Sequence, residues 1–484
     1  MTSGSGFGVS AVATGVHSPA FRRLWWAWTV SLCGDGVRAL ALPLYVAMQT
    51  RDALAVSAVA AAEVLPWLLA ALPAGALVDR LGPRTVLVTA HVVRAALTAG
   101  LVGALATGAA TVPVLCAFAF LLTTAETFAY PASQVMLVEL ADGELDQANA
   151  RFFAVNTIGL NFVGPLAAGA VFLVDPALAF AIDGTTFVVA AVLVATLPAV
   201  ARPERRHEVR TLRAEVGEGL RMLYGIPGLR TLVSMVAIGT LAIAAVNTLL
   251  PLYAVEVLSM GPVEVSTLLV VLASGTLLGT WIAPRASLRW GDGPVMVAGM
   301  GINGVGIALI GLVPTATAAW SGNALIGIGL GLWNVLSAAR RQRLTPATAM
   351  GRVSGAYRVV AWGLMPIGAA AAGSIAAVTS LGTPLVLAGA LTLVAVTALA
   401  VPLLRTSTDA PRQQEGRPAA SRQAQRWVIR VRQSVQGRRP DRSPSRARNS
   451  EPPSTPARDG LPAPDARGEP PRRGRDARRH RAVR

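Results

Sequence analysis

The chain has few charged residues and few cysteines, and it contains no lysine. Only 14% of its 484 residues are charged and 53% are hydrophobic, which excludes an ordinary soluble domain and indicates a polytopic membrane protein. Both cysteines, Cys33 and Cys116, fall in apolar stretches, so they predict neither a disulfide framework nor a metal site. Since the sequence is rich in Ala, Gly and Pro, the use of arginine alone indicates a GC-rich genome and carries no functional message.

Several motifs of soluble proteins are also missing. The sequence has no G-x-x-x-x-G-K-[ST] phosphate loop and no H-E-x-x-H metal motif, so we predict no enzyme, no cofactor and no metal. A membrane sensor or membrane enzyme remains the alternative of another class, although the chain offers no effector domain. The first twenty residues lack a charged segment before an apolar core, so we predict no cleavable signal peptide.

The net charge of +17 is concentrated at the C-terminus, where 21 arginines and 8 acidic residues follow Leu404. The membrane part is therefore only mildly basic, and nucleic-acid binding is not predicted. The tail is rich in Arg, Pro and Ser and has too few apolar residues for a core, which predicts disorder. Attraction to anionic lipid and an inert solvated tail both remain possible roles for it.

Apolar runs of about 17 to 25 residues predict membrane-spanning helices, because lipid offers no partners for exposed backbone amides. We predict an all-α protein with twelve spans, near residues 24–48, 54–78, 85–107, 112–134, 152–174, 178–199, 230–253, 266–288, 294–313, 316–338, 354–377 and 382–404. Arginines gather in alternate loops, whereas the opposite loops hold only Arg51. This asymmetry predicts a multi-pass protein of the inner (plasma) membrane with both termini in the cytoplasm.

The long loop between spans 6 and 7 divides the chain into two six-helix halves. We predict a disordered N-terminus over 1–20, a first bundle over 21–200, a linker over 201–229, a second bundle over 230–405 and the tail over 406–484. Leu212, Val216, Leu220 and Leu223 recur at helical spacing in the linker. They predict an amphipathic helix that lies either on the inner leaflet or simply between the halves.

Two motifs carry a family resemblance. The loop between spans 2 and 3 resembles the loop signature of the major facilitator superfamily; its matching residues are Gly75, Leu77, Asp79, Arg80, Gly82, Arg84 and Leu87, and Pro83 departs from the pattern. Span 5 is similar to the antiporter signature of facilitator-type exporters, with Gly159, Gly164, Pro165 and Gly169 in a small-residue stripe. Small residues allow close helix crossing, so we expect this stripe to form a hinge-like contact between the halves.

Other stretches resemble the drug:proton antiporter branch that contains macrolide-efflux and siderophore-exporter proteins; they are Phe21-Arg-Arg-Leu-Trp-Trp, Ile182-Asp-Gly-Thr-Thr-Phe187 and Glu215-Val-Gly-Glu-Gly-Leu-Arg221. The resemblance implies two matched six-helix halves and proton-driven efflux of hydrophobic small molecules by alternating access. A facilitator-fold importer or a lysophospholipid transporter is the alternative within transport. The arginine that many such exporters carry in span 4 is not evident here.

Ionisable residues inside a membrane are costly, at about 2.5 to 3.5 kcal/mol each, so each predicts a function or a partner. By depth, Arg38 and Glu63 can pair, as can Arg94 and Glu126. Asp35 also neighbours Arg38, which cannot fully serve both acids. We therefore predict proton coupling by Asp35, then by Glu126 and Glu63, with ion pairs that only hold helices together as the alternative.

Two further ionisable residues have structural explanations. We interpret Asp183 as the cap of span 6 and His91 as a packed residue near the inner surface. For the substrate cavity we predict Trp67, Phe128, Tyr130 and Asn247. The expected partners are a small hydrophobic substrate, protons and membrane lipid, with no nucleic acid, and we expect a monomer.

Overall fold

The computed structural model describes residues 15–70, 74, 77–78, 80–198, 212–346 and 349–405. Within these ranges the chain is helical and contains no β-strand, which confirms the predicted fold class. Eleven of the described helices are long and apolar enough to cross a membrane, and Ala53–Leu69 is a shorter apolar helix of 17 residues. Together they match the twelve predicted spans.

The twelve spans are numbered here in chain order. Spans 1 to 6 are Pro19–Thr50, Ala53–Leu69, Pro83–Ala106, Val112–Ala141, Leu145–Phe172 and Pro176–Ala195. The linker helix is Leu212–Gly225. Spans 7 to 10 are Pro227–Glu256, Pro262–Trp290, Asp292–Leu312 and Ala316–Leu344; span 11 consists of Met350–Gly363 and Met365–Val378, and span 12 is Gly382–Arg405. The predicted disordered tail lies outside the described residues, as does the linker before Leu212.

Helix starts follow from local sequence. A proline opens spans 1, 3, 6, 7 and 8, where its missing N–H costs nothing. Short polar side chains cap some of the helix starts. Asp52 accepts from the Leu54 amide at 2.9 Å at the start of span 2, and Asp175 accepts from the Ala177 amide at 2.8 Å at the start of span 6. These caps fix where each span begins.

Span 5 is distorted before Pro165. Residues Asn156–Val163 form a π-helix, in which the Gly164 amide donates to the carbonyl of Gly159. A proline inside a helix removes one hydrogen bond and crowds the preceding turn, so the ladder shifts locally. Span 11 breaks at Leu364, just before Pro366. The two halves thus carry a distortion at equivalent prolines, fourteen residues after Arg151 and Arg352 respectively.

The two ends of the bundle are packed differently. We call the end with the linker helix the linker end and the opposite end the far end. At the far end one apolar cluster joins both halves, with Leu44 of span 1 and Leu252 of span 7 among its buried members. At the linker end each half has its own cluster, around Leu137 in the first and Trp333 in the second. The halves therefore share one apolar cluster at the far end, whereas their apolar clusters are separate at the linker end.

The far end also has an ionic contact between the halves. The Nε atom of Arg51, at the end of span 1, lies 3.2 Å from Oε1 of Glu256, at the end of span 7. Both side chains are partly exposed, so this pair contributes little stability alone. It marks the closed side of the molecule.

The glycine stripe of span 5 makes two kinds of contact. Gly159 and Gly164 cross span 1 of their own half, where Gly36 lies against them. Gly169 packs against Ser266 at the start of span 8, in the other half. Of these three glycines, Gly169 is the one whose nearest atoms belong to the other half, whereas the nearest atoms to Gly159 and Gly164 belong to span 1.

The described part of the linker helix packs against protein. Nη1 of Arg352 lies 3.2 Å from Oε2 of Glu218, and Leu223 is fully buried in the cluster of the second half. A Cβ added at Gly219 would lie 2.9 Å from the Cβ of Ala356 in span 11. The side chains of Leu212 and Val216 lie outside the described residues. This part of the linker helix belongs structurally to the second half.

The close crossing of spans 1 and 5 predicts a specific sensitivity. A Cβ at Gly164 would meet the backbone of Gly36 and Val37, so Gly164→Ala should lower the stability of the purified protein by about 1 to 3 kcal/mol. Gly103→Ala is the matched control, since a Cβ there meets nothing within 4 Å. Thermal unfolding of both variants in detergent measures the difference. Equal melting temperatures for Gly164→Ala and the parent would contradict the described packing.

Candidate substrate cavity and charge cluster

A large cavity lies between the halves towards the linker end. Its volume is about 1310 Å³, above the roughly 300 to 1,000 Å³ of common small-molecule pockets. Its walls come from spans 1 to 5 in the first half, and from the linker helix and span 11 on the opposite side. The apolar cluster shared by the halves fills the far end, so the cavity lies on the linker side of that cluster.

Aromatic side chains form much of the wall. The rings of Trp67 in span 2 and Tyr130 in span 4 meet edge to face, with their centroids 6.1 Å apart. Trp67 also contacts Trp362 of span 11, with centroids 5.9 Å apart, so this pair bridges the two halves. Trp28 and Phe152 add a second edge-to-face pair, with centroids 4.7 Å apart. Such surfaces suit flat apolar molecules.

Two of the four residues predicted for the cavity line it. Trp67 and Tyr130 do so, as described. Phe128 packs instead against the apolar cluster of the first half, and Asn247 is an exposed residue of span 7 outside this lining. Sequence reasoning did not select Trp362 or Arg358, although both lie on one helical face of span 11.

Six ionisable side chains meet inside the first half, and we call them the charge cluster: Asp35, Arg38, Glu63, Arg94, Glu126 and Asp183. Arg38 is central and nearly inaccessible. Its Nη1 donates to Oε1 of Glu63 at 2.8 Å, and its Nη2 donates to Oε2 of Glu126 at 3.2 Å. Asp35 and Asp183 lie 3.5 Å and 3.7 Å from the same guanidinium group.

Arg94 supplies the second cation of the cluster. It donates to Asp35 through Nη2, which also lies 3.6 Å from Oε2 of Glu126. Its guanidinium carbon is 3.9 Å from the centre of the Phe187 ring, and the residue is only 2% exposed. Packing and charge therefore both hold this side chain in place.

The predicted pairings are present but incomplete. Arg38 pairs with Glu63, and Arg94 contacts Glu126, as the depth argument predicted. Arg38 also contacts the other three acids, and the closest partner of Asp35 is Arg94 rather than Arg38. The interpretation of Asp183 as a helix cap is wrong, because span 6 begins at Pro176 with Asp175 as its cap. Asp183 lies two turns further on, fully buried beside Arg38.

The cluster contains four carboxylates and two guanidinium groups. If every group were ionised, two negative charges would remain unbalanced in a poorly hydrated place, which favours protonation of at least one acid. The carboxylates differ in access: the side chain of Glu126 is 32% exposed, that of Glu63 24%, that of Asp35 7% and that of Asp183 0%. Asp35 and Glu126 line the cavity.

His91 is a packed residue, as interpreted from the sequence. It is 3% exposed and stacks on Phe187, with ring centroids 6.2 Å apart. Neither ring nitrogen has a hydrogen-bond partner in the described part of the chain. The residue also borders the cavity one turn before Arg94.

The motif between spans 2 and 3 ends in the first turn of span 3, where Arg84 forms a hydrogen bond with span 6. Gly75 and Asp79 lie outside the described residues, and Arg80 is exposed. Gly82 has a φ of 86°, a conformation that glycine adopts most easily, and Arg84 donates to the carbonyl of Ala195. Gly291 repeats this conformation between spans 8 and 9, with a φ of 82°. The repeated turn is a further sign of two matched halves.

Comparisons with known proteins agree with this geometry. The sequence model of the Major Facilitator Superfamily matches residues 24–370. The chain is 30% identical over 379 residues to the multidrug efflux pump Tap of Mycolicibacterium fortuitum, covering 74% of this chain and 90% of that pump. It is 28% identical over 396 residues to the Tap pump of Mycobacterium bovis, covering 77% and 92% respectively.

Solved structures show the same fold at low sequence identity. The nucleoside transporter NupG superimposes with a TM-score of 0.66 at 13% identity, covering 79% of this chain and 98% of NupG. At that identity the likeness concerns the fold alone.

Four carboxylates contact Arg38, so substitutions of Arg38 and of one of these acids should have non-additive effects on the free energy of unfolding. Arg38→Gln leaves four carboxylates with one guanidinium group, so unfolding should become easier by about 3 to 5 kcal/mol. Adding Asp183→Asn removes a buried charge next to the lost cation and should recover part of that stability. Thermal unfolding of the two single variants and the double variant measures the coupling. Strictly additive losses would show that Arg38 and Asp183 do not interact.

Proposed function

Since this chain belongs to the major facilitator superfamily, whose members are membrane transporters and not enzymes, we propose that it exports hydrophobic small molecules in exchange for protons. The observation that carries the proposal is the charge cluster of four carboxylates and two guanidinium groups, two of whose acids, Asp35 and Glu126, line the cavity. An acid that exchanges a proton would then stand where a substrate would bind. The names of the Tap relatives, multidrug efflux pumps, support export as the direction.

The cavity supports a broad apolar substrate class. Its volume and its tryptophan and tyrosine walls suit large, flat molecules, and its acids favour neutral or cationic ones. The described state, closed at the far end, is the one that would load substrate from the linker end. Rocking of the halves about their contacts would then expose the same cavity to the other side.

Glu126 is the acid that we place first in proton exchange. The sequence ranked Asp35 first, but Asp35 is nearly inaccessible and closely paired with Arg94. Glu126 is more accessible, and both of its arginine contacts are longer than 3 Å. Water in the cavity would deliver a proton to its carboxylate oxygen and remove it again when the opposite side opens. Asp35 shares both arginines with Glu126, and Glu63 shares Arg38, so both acids would respond to each change of its charge.

Coupling between proton and substrate transport then follows because the two compete for the same carboxylate in the cavity. A protonated Glu126 no longer attracts Arg38 and Arg94, which leaves both cations to the remaining acids. A substrate that lies beside Glu126 is bound best when this carboxylate is charged. Proton and substrate would therefore occupy the site in turn, which is the requirement of an antiporter.

We place the linker end in the cytoplasm of a bacterial inner membrane. The arginines of the alternate loops support this orientation through the positive-inside rule. The loop residues Gly75, Asp79, Arg80, Gly82 and Arg84 would act as a conformational switch on the cytoplasmic side. Gly169 would serve as the crossing point about which span 5 moves against span 8.

Removal of the cavity acids should abolish coupled transport. Glu126→Gln and Asp35→Asn should each reduce proton-driven dye uptake into everted vesicles by more than about 10-fold, since proton transfer at these positions is lost. Glu139→Gln is the matched control, because Glu139 is an exposed acid on the same span as Glu126. Equal protein amounts in the vesicles exclude a defect in folding. Wild-type uptake rates in both cavity variants would overturn the proposed roles.

A further inference from the structure

One face of span 11 forms the wall of the cavity opposite the charge cluster. Its lining residues are Gly355, Arg358, Val359, Trp362 and Gly363, which recur at helical spacing. The face contains a single charged residue, Arg358. The second half therefore gives the lining a cation, whereas the first half gives it Asp35, Glu126 and Arg94. Arg94 is nearly buried and paired with Asp35, so Glu126 is the accessible charge on that side.

Arg358 differs from the other arginines near the cavity. Arg38 and Arg94 are buried at 4% and 2% exposure, and both are held by carboxylates. Arg352 contacts Glu218, and the guanidinium carbon of Arg341 lies 4.0 Å from the ring centre of Tyr357. Arg358 is exposed, and in the described ranges no carboxylate oxygen lies within 4.0 Å of it. The N–H groups of its guanidinium are therefore accessible to a molecule in the cavity.

The two charged walls are separated by an aromatic contact. Trp362 lies one turn after Arg358 on span 11, and its ring meets that of Trp67 from the first half. On span 4, Tyr130 lies one turn after Glu126 and contacts the same Trp67. Acid, aromatic group and arginine therefore follow one another across the cavity. A ligand that matches this order has a cationic group, a flat apolar body and an anionic group.

We propose that the cavity selects aromatic zwitterions, with the anionic group of the substrate bound by Arg358 and its cationic group placed towards Glu126. This inference rests on the proposed export function, since it names the substrate class of the same cavity. A guanidinium group binds a carboxylate through two parallel hydrogen bonds, a geometry that a neutral ester cannot reproduce. Arg358 is then the residue that separates zwitterions from simple cations.

A pair of dyes tests this directly. Rhodamine B carries a xanthylium cation and a carboxylate, and its ethyl ester keeps the same rings and cation without the negative charge. Fluorescence anisotropy with the purified full-length protein in detergent gives Kd for each dye. We expect the wild-type protein to bind rhodamine B about 10-fold more tightly than the ester. Arg358→Gln should weaken rhodamine B binding by about 10-fold and leave ester binding unchanged.

Two further variants complete the design. Arg358→Lys keeps the charge without the paired donors and should give an intermediate Kd for rhodamine B. Arg289→Gln removes an exposed arginine at the end of span 8, away from the cavity, and should change neither Kd. Unchanged ester binding by Arg358→Gln also shows that this variant is folded.

Three results would overturn the inference: equal binding of both dyes by the wild-type protein, equal weakening of both dyes in Arg358→Gln, and no binding of either dye. Equal weakening would mean that Arg358 serves the protein's own structure or pairs with a cavity acid. Because binding is measured without a proton gradient, these results are separate from a failure of proton-driven transport. Uptake into everted vesicles tests that failure independently.

Discussion

Two guanidinium groups shared among four carboxylates inside an apolar bundle are the constraint on which the rest of this structure depends. Buried charges are tolerated only when paired, and here each acid has an arginine within 4.0 Å. Among the described residues, however, neither oxygen of Asp183 and neither arginine Nε has a hydrogen-bond partner. The cluster joins spans 1, 2, 3, 4 and 6, so it holds the first half together as one body. Under the proposed function, the same deficit of positive charge would give the cavity an acid that exchanges a proton.

The two halves pack differently at the two ends of the bundle, so the cavity beside the charge cluster lies towards the linker end. Apolar contacts join the halves at the far end, whereas the cavity separates them at the linker end. Among the described residues, the second half contributes one ionisable side chain to the cavity lining, that of Arg358. Ionisable groups are therefore concentrated in the first half, and the second half supplies the opposite wall of the cavity. Such a division suits a transporter whose halves rock as rigid units.

The fold could be predicted from the sequence because lipid imposes length and apolarity on every span, and all twelve predicted runs correspond to helices. The Arg38–Glu63 pair could be predicted because depth along a helix is a simple count. Such a count does not show which face of the helix a side chain occupies in the packed bundle. This is why Asn247 and Phe128 were expected in the cavity. Asp183 was interpreted as a cap because it was counted as close to the start of span 6, whereas the helix begins two turns earlier, at Pro176. No cavity role was assigned to Arg358 from the sequence, since only the packed bundle shows which face of span 11 borders the cavity.

Proton release on substrate binding tests the central claim most directly. Purified protein in a weakly buffered solution with a pH-sensitive dye is mixed with excess rhodamine B, and the protons released are counted per molecule of ligand bound. If the excess carboxylates of the cluster exchange protons with the substrate, about one proton should appear for each bound ligand, and Glu126→Gln should release none. Full binding by the wild-type protein without any change in free proton concentration, across the pH range in which carboxyl groups titrate, would contradict the account.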